Sequence, residues 1–230
     1  MEGVLLILEE KIDGVVYVLH SNEWFVERVV TAELIPDVYI VPTIQDMPVT
    51  CIAQEAFEKT TISSIEIPDT VEGIGPLAFY GCDKLEIVHI YQSGCNFVAP
   101  CLRILQEAFS NCKSLVSVIV STATPVRLYG DKCFNECINL YTLDADFMTT
   151  IPAGTFNGCV KLEHLYVKGD VKFHNTSLAG TNIININFHN TDKIIASPKM
   201  LNTLKKINLI CNIDSKITDL AYEGFLVCIR

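Results

Sequence analysis

Short segments in which apolar and polar residues alternate recur along most of the chain, among them LEIVHI (85–90), LVSVIV (115–120), LYTLDA (140–145) and LEHLYV (162–167). A period of two sends successive side chains to opposite faces, so each segment predicts a short strand with one buried face. The segments share one frame. Aligning them on the phenylalanine of AFYGCDKL gives anchors at Phe57, Phe79, Phe109, Phe134 and Phe156, spaced 22, 30, 25 and 22 residues apart. Further steps of 22, 22 and 25 reach Leu178, Met200 and Phe225. Five residues before the anchors stand Ile52, Ile74, Ile104, Tyr129, Ile151, Phe173, Ile195 and Leu220, all apolar. Three residues after them stand Thr60, Cys82, Cys112, Cys137, Cys159, Thr181, Thr203 and Cys228.

A repeat of about 20–30 residues with apolar positions in fixed phase marks a solenoid, whose turns bury their apolar faces only by stacking on one another. The alternating segments should lie side by side as parallel strands of one narrow sheet, at ~4.8 Å per strand. In IPDTVEGIGPLAF, Pro68, Gly73, Gly75 and Pro76 forbid a long helix and favour turns with a short helical piece at the anchor. Residues 1–48 stand outside the frame. Their apolar runs GVLLIL, GVVYVLH, WFVERVV and VYIVP predict antiparallel strands that cap the first turn. Residues 49–230 then form about eight turns, and the last, ending at Arg230 before any eighth strand, is expected to act as a lid.

The stretch AFEKTTISSIEIPDTVEGIGPLAFYGCDKLEIVHI resembles the BspA-type leucine-rich repeat, with its pattern I-x-x-x-A-F-x-x-C-x-x-L-x-x-I-x-I-P-x-x-V. The match is specific from Val49 to about Val167 and rests on spacing alone from Lys168 to Arg230, where Leu178, Met200 and threonines replace the consensus letters. The resemblance implies a right-handed leucine-rich repeat solenoid, α/β or mainly β. It also implies a non-enzymatic, secreted or surface-associated binding and adhesion module of the kind found in bacteria and in parasitic or commensal protists.

Composition agrees with a folded protein: half of the 230 residues are hydrophobic and 19% are charged. A net charge of −10, with no local basic cluster, opposes binding to phosphate backbones and anionic lipid, so nucleic acid is not an expected partner. No run of about 18 uncharged apolar residues is present to span a bilayer. VLLIL (4–8) is flanked by Glu2, Glu9 and Glu10 rather than by a cationic start and a cleavage site, so the chain as written carries no export signal. A cytoplasmic location is therefore the alternative to the cell surface.

Candidate chemistry is sparse. In-register thiols on successive turns match disulfide torsions poorly, and burial raises a thiol's pKa, so Cys82 and its counterparts are expected to fill the turn and donate weak hydrogen bonds to carbonyls. Cys133 and Cys137 are four apart but lack the second close pair that a zinc site needs. Cys95 and Cys101 lie in the excess of the 30-residue step, where a loop disulfide and two free thiols are both open. The five histidines share no metal-binding spacing, no phosphate loop or Gly-x-Ser-x-Gly elbow occurs, and no cofactor or metal is expected.

The solvent side of the strands remains. Read turn by turn, its outward positions are Ser64 and Glu66, Ile87 and His89, Ser117 and Ile119, Thr142 and Asp144, His164 and Tyr166, Asn185 and Asn187, Lys206 and Asn208. Ile87, Ile119 and Tyr166 are apolar or aromatic where water is expected, a pattern that suits a protein contact. Glu66, Ile87, His89, Ile119, Asp144, His164 and Tyr166 are the candidate binding residues for a protein or glycoconjugate, with Asn96 and Phe97 of the insertion loop beside them. Two other readings are a carbohydrate-active parallel β-helix and a self-associating adhesin subunit. Against the first, Glu66 and Asp144 would stand three strands apart, ~14 Å, beyond the ~9.5 Å that paired glycosidase carboxylates tolerate.

Overall fold

The computed structural model describes residues 8–29, 35–144, 147–189, 191, 193–211 and 226–229. Each repeat makes one coil with three sides. The first side is the expected parallel sheet. Asp37–Tyr39, Ser64–Pro68, Ile87–Tyr91, Ser117–Ser121 and Thr142–Asp144 pair in order. The expected single ladder is divided: this sheet of five strands ends at Thr142–Asp144, and a separate parallel ladder runs from the first half of His164–Phe173 through Asn185–His189 and Asn208–Cys211 to Leu226–Ile229.

A second parallel sheet, which the alternation did not announce, forms another side. It contains Glu23–Val29, Met47–Ile52, Gly73–Ile74, Leu102–Ile104, Val126–Leu128, Phe147–Ile151, residues 171–173 and Ile194–Ala196. His164–Phe173 is long enough to serve both sides, and Gly169 at φ 75° lies within it between the two pairings. Ile52, Ile74, Ile104, Leu128, Ile151 and Phe173 of the second sheet are buried.

Two residues depart from their expected inward place in this column: Tyr129 is 58% exposed and Ile195 is 44% exposed. Six residues, rather than five, separate the inward Leu128 from Phe134, and four separate Ala196 from Met200. A slip of one residue sends a strand side chain to the opposite face, so Leu128 and Ala196 take the places assigned to Tyr129 and Ile195.

The third side carries the anchors. Phe57, Phe79, Phe109, Phe134 and Phe156 are fully buried, and their rings stack at centroid separations of 5.0, 4.9, 5.3 and 5.9 Å. Leu178 and Met200 continue the buried column. Around the first four anchors the chain forms turns, with left-handed residues two before (Glu55, Leu77, Glu107, Lys132) and two after (Lys59, Gly81, Asn111, Glu136). This alternation aims amide hydrogens along the stack: Leu77, Phe79 and Gly81 donate to the carbonyls of Gln106, Ala108 and Ser110 at 2.8–3.0 Å. Met200 sits instead on a true α-helix, Pro198–Leu204, whose N-cap Ser197 accepts from the Met200 amide and whose first turn holds a proline.

The N-terminal strands Glu9–Ile12, Val15–His20 and Glu23–Val29 form the expected antiparallel meander. Both of its hairpin turns have two central residues at positive φ, Asp13-Gly14 and Ser21-Asn22, as tight two-residue hairpins require. Glu23–Val29 then pairs in parallel with Met47–Ile52, so the meander adds directly to the end of the second sheet.

At the other end, the expectation that the chain stops before an eighth strand is corrected. Leu226–Ile229 pairs in parallel with Asn208–Cys211, placing Cys228 opposite Ile210 on a strand rather than after an anchor. The letter match at Phe225 misassigned the frame there; Leu220 and Phe225 themselves lie outside the described residues.

Candidate functional site

The outward side chains of the first sheet form registered rows. One runs Ser64, Ile87, Ser117, Thr142; the next runs Tyr39, Glu66, His89, Ile119, Asp144. In the later coils the corresponding rows are His164, Asn185, Asn208 and Tyr166, Asn187, Ile210. Sequence alternation therefore places the candidate residues on one face, one or two per coil. Ile87, Ile119 and Tyr166 are 41%, 39% and 38% exposed on this face. Asp144 keeps register with Ile119, but its side chain lies outside the described set. Asn187 is buried rather than outward-exposed.

The rows are tied by polar contacts across strands. His89 Nε2 and Ser121 Oγ share a hydrogen bond at 3.0 Å, and Asn185 Nδ2 donates to His164 Nδ1 at 3.1 Å while its Oδ1 accepts from Asn208 at 3.0 Å. Two residues of this face escaped the sequence reading. Tyr39 precedes the first anchor and Tyr91 lies beyond the last alternating position of its segment, yet their rings stack at 5.4 Å and 28°. His89 lies 6.3 Å from Tyr91, so Tyr39, Tyr91 and His89 make an aromatic platform beside Glu66. Tyr91 is anchored by donating its hydroxyl to the Ile40 carbonyl at 3.3 Å, and burial raises its pKa. The signal that could have found Tyr39 is the register: it occupies the Glu66 row one strand earlier.

The insertion loop is pinned at its root. Asp69, buried, accepts from the amide and hydroxyl of Ser93, and its own carbonyl accepts from the Ala99 amide at 2.8 Å. Asn96 is exposed and Phe97 half-buried on this loop. Cys95 and Cys101 carry free thiols.

The thiol ladder does what buried thiols can do. Sγ of Cys82, Cys112, Cys137 and Cys159 donates at 3.0 Å to the carbonyl of Phe57, Phe79, Phe109 and Phe134, the anchor one coil earlier. Burial pushes Cys112 and Cys137 well above the ordinary thiol range and Cys133 and Cys159 to about 12, which disfavours the thiolate at these four, whereas at Cys82 a hydrogen bond with Cys112 outweighs burial and, against expectation, lowers the pKa. Among the described residues no three His, Cys, Asp or Glu side chains converge as a metal site requires.

Coils of 22 to 30 residues, stacked phenylalanines and a face of short parallel strands define a leucine-rich repeat solenoid. The BspA-type leucine-rich repeat region matches residues 50–99 and 95–208 in six copies, and the chain belongs to that family. Among solved structures it is similar to a leucine-rich cell surface protein of Faecalibacterium prausnitzii, at 20% identity and a TM-score of 0.58 over 91% of this chain. This chain spans 55% of that protein's length. A leucine-rich repeat protein of T. pallidum is similar to the same degree, 20% identity and TM-score 0.58, over 82% of this chain and 86% of its own. No curated protein matches the chain.

Proposed function

We propose that the chain is a non-enzymatic recognition module whose first-sheet face binds a macromolecular ligand at a cell surface, with residues 1–48 capping a solenoid of residues 49–230. The observation that carries the reading is the set of exposed apolar and aromatic residues on this face, Ile87 in one row and Tyr39, Ile119 and Tyr166 in the next, among polar neighbours. Such a surface gains by covering apolar area, and tyrosine is a favoured interface anchor. Of the two ligand classes, protein and glycoconjugate, the isoleucines favour protein, because a sugar offers them little apolar surface. The likeness to a leucine-rich cell surface protein supports the location.

The test is affinity capture from the native host with immobilised wild-type protein and with the variant in which Ile87, His89, Ile119, His164 and Tyr166 are changed to Ser or Ala. The variant should lose the captured protein while keeping its thermal unfolding midpoint within a few degrees. Equal capture by both proteins removes the strand-face assignment.

A further inference from the structure

The outer side of the second sheet carries a row with different chemistry. Arg103 is registered opposite Arg127, and Thr150 opposite Lys172, on neighbouring strands. In sequence these cations are 24 and 45 residues apart, and only the coiling gathers them. Arg103 is occupied: it binds Glu72 Oε2 at 3.0 Å. Among the described residues, Arg127 and Lys172 form no ion pair with a carboxylate, and Arg127 Nε–H is buried without an acceptor in the fold.

These two cations border an open groove of about 350 Å³, also lined by Tyr129, Thr150, Asp131 and His174. The Asp131 carboxylate is engaged, accepting from the Ala153 amide at 3.0 Å. Tyr129 is more than half exposed, and its hydroxyl lies beside the Arg127 guanidinium. The frame slip that turned Tyr129 outward thus supplies an aromatic wall to a cationic floor. Guanidinium and ammonium donors suit a carboxylate or sulfate, and an aromatic face suits the C–H face of a sugar ring.

We propose that this groove binds an acidic saccharide, with its carboxylate or sulfate groups held by Arg127 and Lys172 and one ring resting on Tyr129. The two cations stand two strand spacings apart, ~10 Å, a separation that suits alternate sugars of a chain. A nucleic acid, with a charge every ~3.4 Å per strand, would instead meet a protein of net charge −10 with Arg127 and Lys172 as the cations of the groove. The site lies on a different sheet from the strand-face row and does not depend on that row's function.

Isothermal titration at about 50 mM salt, where charge contacts are little screened, tests it with a hexagalacturonate, a heparin-derived hexasaccharide and neutral maltohexaose. At least one acidic hexamer should bind saturably, and maltohexaose should not; which acid binds assigns carboxylate or sulfate. R127Q/K172Q should weaken binding at least tenfold and Y129A about fivefold. R103Q and the strand-face variant should stay within twofold. Because Arg127 is half-buried, K172Q alone, at an exposed position, should cost at least threefold. Absence of binding by both acids, equal binding of the neutral hexamer, or unchanged affinity in K172Q and R127Q/K172Q would overturn the assignment.

Discussion

Removing one thiol from the ladder separates hydrogen bonding from space filling. Cys112→Ala deletes a fully buried sulfur and the bond it donates at 3.0 Å to the Phe79 carbonyl. Losing a methylene-sized apolar group costs about 0.8 kcal/mol in transfer, and the residual void adds to it. The hydrogen-bond loss belongs at the low end of the usual ~0.5–1.5 kcal/mol. A thiol is a weak donor, and the Phe79 carbonyl still accepts the Cys82 amide at 3.2 Å. The sum is about 1.5–2 kcal/mol. Cys112→Ser leaves a similar void but keeps a donor on the same carbonyl, so it should cost about 1 kcal/mol, less than Ala. Equilibrium urea unfolding, with midpoints compared at constant m, reads both values. If the sulfur only fills space, serine buries an unpaired hydroxyl and becomes the worse variant. A serine variant less stable than the alanine variant therefore refutes the hydrogen-bonded ladder.

Other predictions test neighbouring parts of the fold. Phe109→Ala, between two stacked rings, should lower stability by about 3–5 kcal/mol in urea unfolding, whereas Phe109→Leu should cost less than half as much; equal losses would deny the stack any role. Gly130→Ala should disrupt folding, because a Cβ there would come within 1.9 Å of the Gln106 backbone nitrogen, while Gly94→Ala, with nothing within 4 Å, should cost only its left-handed strain; soluble expression and melting compare the two. Stability should fall as pH rises from about 9 to 12, by up to ~1.4 kcal/mol per pH unit for each of the buried thiols whose pKa is raised, Cys112, Cys133, Cys137 and Cys159. The unfolded chain loses these protons near 8.5, while Cys133 and Cys159 hold them to about 12, so urea midpoints should drop less steeply in the Cys133→Ala, Cys159→Ala double variant. A thiol reagent on native protein should label Cys95 and Cys101 first and reach Cys112 and Cys137 only on unfolding; early labelling of Cys112 would contradict its burial.

What could be read beforehand was whatever repeats at fixed spacing with fixed polarity. The phenylalanine and cysteine columns and the strands 64–68, 87–91 and 117–121 met both conditions. The second sheet showed only as the apolar column five residues before the anchors, not as strands. Gly73–Ile74 and Leu102–Ile104 are two and three residues long and sit in Gly- and Pro-rich surroundings, too short for period-two patterning to emerge. Tyr39 lay before the first anchor, and no local rule joins it to Tyr91, 52 residues on. The cationic groove was invisible for the same reason. A search for a basic cluster looks along the chain, whereas a solenoid collects one residue per coil into a row.

The same geometry explains how the second half keeps the fold after losing the consensus. Leu178 and Met200 fill the aromatic column as apolar volume, and Thr181 replaces the cross-coil thiol bond by donating to the Leu178 carbonyl of its own coil at 2.9 Å. An anchor position requires buried bulk, and the place three residues on requires a small group with a donor. Neither requires a particular letter. With stability fixed by inward columns and by amides aligned along the stack, the outward rows of both sheets are released from that constraint. One sheet presents isoleucine, histidine and tyrosine, and the other arginine, lysine and tyrosine. The two rows can therefore change independently, each at one residue per coil, without altering the coil beneath.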